Sequence, residues 1–147
     1  HRTALANQTA WSKANIARFK DMIRSVARIT ISRGIGRGAV LGIIRLRPSS
    51  AGEEALRAAL RERLDPTKHD GIISMHLLEN DAALSRPLTD EPTAANPGAG
   101  DWFVLIDATD IGAIPAAMAA FATFKSETVS SGVYRLMFDL AKSDLGG

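Results

Sequence analysis

Hydrophobic and polar residues alternate along four stretches of the chain: Val40–Arg47, Ile72–Glu79, Trp102–Ala108 and Val133–Leu140. A period of two is what a half-buried strand requires, because successive side chains point to opposite faces of a sheet. Two other stretches carry a helical period. Leu56, Leu60 and Leu64 recur at i, i+4 and i+8 within Ala51–Leu64. Ser50 stands ahead of that segment as a cap, Glu53 and Glu54 suit its first turn, and Pro66 closes it. Ile114, Met118 and Phe121 mark a second helix from Asp110 to about Phe124, with Pro115 tolerated in the first turn. Ile16, Phe19, Ile23 and Val26 predict a further amphipathic helix over Ser12–Thr30, capped by Ser12, with Lys13, Lys20, Arg24 and Arg28 mostly on its other side. From Ala39 to Leu140 the order is β-α-β-β-α-β, a plan that puts two helices on one face of an antiparallel sheet.

The connections divide the chain further. Ser32-Arg33-Gly34-Ile35-Gly36-Arg37-Gly38 is a basic, glycine-spaced link. Its spacing is not that of a phosphate loop, and it runs into a strand, so no helix N-terminus is offered to an anion. Residues 1–38 therefore read as a basic helix and link, and residues 39–147 as the sheet domain. Asn80–Gly100 is long and rich in Pro, Asp, Thr, Ala and Gly; such a connection suits a lid or an arm gripping a partner.

Because the two helices cover one face only, the alternation assigns each strand residue to a side. The covered side takes Val40, Gly42, Ile44 and Leu46; Ile73, Met75 and Leu77; Trp102, Val104, Ile106 and Ala108; and Tyr134, Leu136, Phe138 and Leu140. The open side then carries Leu41, Ile43, Ile72, Leu78, Phe103, Leu105 and Met137 together with Arg45, Ser74, His76, Asp107 and Arg135. It is too apolar to face water alone and too polar for a core, the composition of a small-molecule site or an interface.

Within that set His76 is the candidate proton shuttle, since an imidazole titrates near about pH 6.5. Asp107 is a candidate to orient it or to act as base. Arg45 and Arg135 are candidates to hold a carboxylate or enolate oxygen, with Ser74 and Phe103 completing the substrate wall. The competing roles are plain: a histidine satisfied by a carbonyl or subunit contact, and arginines paired with Asp107 or Asp139. His69 and His76 would face opposite sides of a strand, and without cysteine no metal site is completed. No motif implies a cofactor, and haem ligation by His76 is set aside.

This order of elements, with strands patterned on both sides, resembles the dimeric α/β-barrel branch of the ferredoxin-like folds. The resemblance covers about Ala39–Leu140 and implies two sheets packed face to face around a pocket. They would come from a homodimer through the open face or from a preceding tandem half. Members include monooxygenases, haem-dependent enzymes, isomerases and dehydratases acting on hydrophobic compounds. A small apolar carbonyl or aromatic ligand is the implied expectation; a non-catalytic dimer interface is the alternative.

Composition narrows the remaining classes. The 147 residues suffice for one core-forming domain, 46% hydrophobic and 23% charged. No apolar run reaches the roughly 18 residues of a membrane span. The absence of cysteine removes thiol chemistry and fits a cytoplasmic protein. The start at His1, without Met or a signal pattern, reads as a piece of a longer product. Ten of the 18 basic residues but only one of the 16 acids, Asp21, lie in His1–Arg47. That basic arm is better suited to docking on the acidic body than to nucleic acid, because after Trp11 and Phe19 no aromatics are interleaved for stacking. Gly100-Asp101-Trp102-Phe103-Val104 lacks the basic residue of an RNA-recognition strand, so nucleic acid falls away.

Overall fold

The computed structural model describes residues 8–18, 25–85 and 100–137. The described elements are α1 (Ala10–Ile16), β1 (Ala27–Gly34), β2 (Val40–Leu46), α2 (Glu53–Arg63), β3 (Ile72–Asn80), β4 (Trp102–Ala108), α3 (Ile114–Ala119) and β5 (Thr128–Arg135), with short 3-10 turns at Pro66–Lys68 and Ala122–Phe124. One five-stranded sheet has the order β1-β3-β4-β2-β5, and every neighbouring pair is antiparallel. The four strands β2 to β5 have the ferredoxin-like order, with β4 inserted between the two strands that α2 connects. The fold class is α+β, as the alternation predicts.

The apolar sets of β2, β3 and β4 close the core. Val40, Ile44, Leu46, Met75, Leu77, Trp102, Val104, Ile106 and Ala108 are buried against Leu56, Leu60 and Leu64 of the α2 segment and Ile114, Ala117, Phe121 and Phe124 of the α3 segment. Gly42 lets α3 approach, since a Cβ there would stand 3.1 Å from Ile114 Cγ2. Arg57 of α2 fastens the other helix. It chelates the Glu79 carboxylate with two bonds of 2.7 Å, and its guanidinium lies 5.1 Å from the Trp102 ring centroid. That hydrogen bond raises Arg57 above its ordinary value and holds Glu79 below its own.

Four expectations are corrected. The helix predicted over Ser12–Thr30 spans only Ala10–Ile16 among the described residues, capped by Thr9 rather than Ser12, and Ala27–Gly34 is instead an edge strand on β3. Ile29-Thr30-Ile31-Ser32 alternates apolar and polar residues and its first three are β-branched, a signal that outweighs extension of the helical spacing past Val26. The glycine link accordingly shortens, and Arg33 and Gly34 join the sheet. The two core helices are also shorter than predicted, starting after Gly52 and Ala113 with no side-chain cap. Finally, the last strand is Thr128–Arg135, not Val133–Leu140. Its beginning, Thr-Val-Ser-Ser-Gly, lies on an exposed edge and carries no apolar alternation to read. Phe138, Asp139 and Leu140 lie outside the described residues, as does most of the 80–100 connection.

The basic segment docks on the acidic body at several points. Arg28 pairs with Asp81 at 3.1 Å. Arg45 and Arg47 both pair with Asp101, whose side chain is fully buried. No helix among the described residues is long and apolar enough to cross a membrane.

Candidate functional site

The register across the sheet sets three rows on the face opposite the helices. One row runs Gly34, Ser74, Asp107, Leu41, Tyr134; the next Ser32, His76, Leu105, Ile43, Gly132; the third Ile29, Leu78, Phe103, Arg45, Ser130. The apolar members of the inner strands are half-buried, while Ile29 and Tyr134 on the edge strands are 64% and 56% exposed. Among the described residues no helix covers this face.

A bulge in β3 between Ile72 and Ser74 brings Ser74 opposite Asp107. It also turns Ile72 to the covered side, opposite Ala108 and against the core, where strict alternation had placed it on the open face.

Four polar side chains link across this surface. Ser32 Oγ lies 2.9 Å from His76 Nδ1, and Ser74 Oγ lies 3.1 Å from His76 Nε2. Ser74 Oγ is within donating distance of Gly36 O, at 3.1 Å, and of Asp107 Oδ2, at 3.3 Å. Gly38 N–H donates to Asp107 Oδ1 at 3.3 Å. Only glycine fits at 38, since a Cβ would stand 2.0 Å from Ala108 O. Beside the imidazole is an open hollow of about 480 Å3 lined by Gly36, Arg37, Leu41, His76, Leu105 and Asp107. Among the described residues, a second hollow of about 540 Å3, between α3 and β5, has Lys125 as its one charged lining residue and no acid–base pair.

Five of the six sequence-derived candidates share the open face. His76 and Asp107 line the hollow and Ser74 joins them from beneath, fully buried. Phe103 and Arg45 stand as cross-strand partners in the third row. Arg135 does not belong with them. It pairs with Val40, so it sits on the helix side of the sheet, at an exposed edge. The shifted β5 assignment inverted that strand's parity, and Met137, 92% exposed, follows the strand rather than facing the site.

Arg45 is held by Asp101, and Asp139, the other acid expected to pair with it, lies outside the described residues. Asp101 also accepts from Arg47 Nε at 2.7 Å, a bond that raises Arg47 above its ordinary value. Sequence reasoning passed over Asp101, although Arg45 and Arg47 are spaced to share a face and the acid opens the neighbouring strand. Ser32 was missed because its position opposite His76 follows only from recognising β1. Among the described residues no group of three His, Asp or Glu is gathered that could hold a metal ion.

No family model matches the chain, and no curated protein matches it. Among solved structures it is similar to LmHde, a heme-degrading enzyme from Listeria monocytogenes, at 14% identity and a TM-score of 0.43, covering 74% of this chain and 69% of that one.

Proposed function

We propose that this chain is a small-molecule-binding protein of the dimeric α/β-barrel type, acting on a small apolar carbonyl or aromatic compound. The observation that carries the reading is the sheet face that no helix among the described residues covers, where Leu41, Ile43, Leu78, Phe103 and Leu105 surround the linked His76, Ser74 and Asp107. An apolar surface with a few convergent polar groups has the composition of a ligand site. A contiguous exposed apolar surface rimmed by polar residues marks an interaction or ligand site. In this reading two copies pack their open faces together, and the hollow beside His76 becomes a closed pocket.

Each side chain then has a stated part. His76 takes or returns a proton at the ligand's polar atom. Asp107 acts on His76 through Ser74 rather than by direct contact, holding the ring in place. Leu105 and Leu41 supply the apolar floor, and Phe103 with Arg45 forms the far wall. Arg135, on the other side of the sheet, has no part.

Sedimentation analysis of wild type and Leu105→Asp, with methyl-resolved NMR during titration by small aromatic and carbonyl compounds, tests the proposal. It expects a wild-type dimer, a monomeric variant, and methyl shifts centred on Leu105, Leu41 and Ile43. A monomeric wild type with no such shifts would overturn it. A dimer that binds nothing on this face would make the surface an assembly seam and remove the ligand.

A further inference from the structure

We infer that Ser32 is a nucleophilic hydroxyl activated by His76, directed at the carbonyl carbon of small apolar esters. The inference takes its ligand face from the function proposed above and adds a covalent chemistry to it. Proton accounting carries it. Ser74 has one hydroxyl hydrogen and three neighbours, Gly36 O, Asp107 Oδ2 and His76 Nε2, at 3.1, 3.3 and 3.1 Å. The carbonyl and the ionised carboxylate can only accept. If Nε2 were also bare, three acceptors would compete for a single hydrogen around a fully buried oxygen. With the hydrogen on Nε2, the imidazole donates to Ser74, and Ser74 donates onward to Gly36 or Asp107. Nδ1 is then the basic nitrogen, and the group 2.9 Å from it is the Ser32 hydroxyl.

A nucleophile within hydrogen-bond reach of a base, with that base oriented by a third group, is the arrangement that activates serine. The burial is graded to suit. Ser74 is fully buried, His76 is half-buried, and Ser32 is exposed on the edge strand where a substrate can reach it. In the first step Ser32 Oγ bonds to the ester carbonyl carbon while its proton passes to His76 Nδ1. The carbon–alkoxide bond breaks, and the departing alcohol takes that proton. Water then repeats the sequence, releasing the acid and restoring the hydroxyl. Ser74 and Asp107 are positioning residues in this scheme.

An alkyl fluorophosphonate is the probe, read by intact mass and peptide mapping. Phosphonylation of Ser32 forms an Oγ–P bond and expels fluoride, with the hydroxyl proton leaving as HF. The expected result is an adduct on Ser32, absent in Ser32→Ala and formed at least about 100-fold more slowly in His76→Gln. 15N NMR of the ring is expected to find the neutral wild-type imidazole protonated on Nε2. Ser74→Ala should disturb that tautomer and Ser74→Thr restore it, a readout that packing alone would not move. No adduct on Ser32, labelling indifferent to His76→Gln, or a hydrogen on Nδ1 of the neutral ring would each overturn the inference. Sedimentation and NMR titration of the wild type separate the two ideas, since a wild-type dimer whose Leu105 and Leu41 methyls shift with small aromatic compounds but whose Ser32 takes no adduct leaves the ligand face standing.

Discussion

The two faces of the sheet are built from alternate residues of the same strands, yet they have opposite characters. On the helix side, Ile31, Val40, Ile44, Leu46, Met75, Leu77, Trp102, Val104, Ile106 and Ala108 are no more than 6% exposed and are all apolar. On the other side, the apolar residues remain half-buried at best, and Ser32, His76, Ser74 and Asp107 join them through hydrogen bonds. The first face is completed by the chain's own helices and therefore serves stability. The second is completed by nothing in the described residues, so its apolar character answers to a partner or ligand.

Truncation on each face offers the sharpest way to break that contrast. Leu77→Ala, under the helices, is expected to cost about 2.7–5 kcal/mol, because the lost transfer energy and a residual cavity add. Leu105→Ala, in the adjacent strand but on the open face, is expected to cost about 1 kcal/mol in the monomer. Chemical denaturation at two protein concentrations checks both. The Leu105→Ala penalty should grow with concentration, since association adds stability by mass action, while the Leu77→Ala penalty should not. Equal penalties would mean that the open face is already a core.

Asp101 marks where the contrast fails at one end of the sheet. It belongs to the open side beside Phe103, yet its side chain is fully buried between Arg45 and Arg47. Asp101→Ala is expected to cost about 3 kcal/mol, the low end for breaking a buried pair, because Arg47 is 54% exposed and can turn to water. Arg47→Ala should cost less, leaving Arg45 on the carboxylate. If the two variants proved equally stable, the cluster would be a surface feature rather than a buried anchor.

Much of this division was legible in the alternating residues of β2 and β4, both of which keep the sides that period two assigns. Residues near bulges were not. The extra residue in β3 sends Ile72 to the core, and no local chemistry at Ile72-Ile73 announces it. The edge strands were the least legible, because exposure on both sides erases the apolar pattern that reveals a strand. That loss displaced β5 and put Arg135 on the wrong face, while the helical spacing that runs to Val26 hid β1 and with it Ser32. The hydrogen-bonded chain around His76 was half visible: three of its members lay in recognised strands, and the fourth needed the cross-strand register.

Acid tests how the helix face is fastened. Hydrogen bonding to Arg57, and then to Thr30, holds the Glu79 carboxyl below its ordinary value of 4.5. The folded state therefore binds that proton less readily than the unfolded chain. The stabilisation is complete above about pH 4.5 and is lost as pH falls through the lower folded value. Urea midpoints between neutral pH and pH 3 should fall further for wild type than for Glu79→Gln. Identical slopes would show that the Arg57 chelate does not bind α2 to the sheet in solution.

The smallest effect is expected where β1 meets the acidic body. Arg28 is 77% exposed, and an ion pair in that setting contributes little once side-chain entropy and salt are counted. Asp81 differs from its partner. Its carboxyl is held below the ordinary value first by the backbone N–H of Leu84 and only then by Arg28. That order makes the acid a turn-former at the end of β3, with the arginine a guest on it. Asp81→Ala should therefore lower the unfolding midpoint more than Arg28→Ala, and added salt should erase most of the Arg28→Ala deficit while leaving that of Asp81→Ala. If salt erased both equally, the docking of the basic strand would be electrostatic throughout. The edge carrying Ser32 would then be attached by charge rather than by its hydrogen-bonded register.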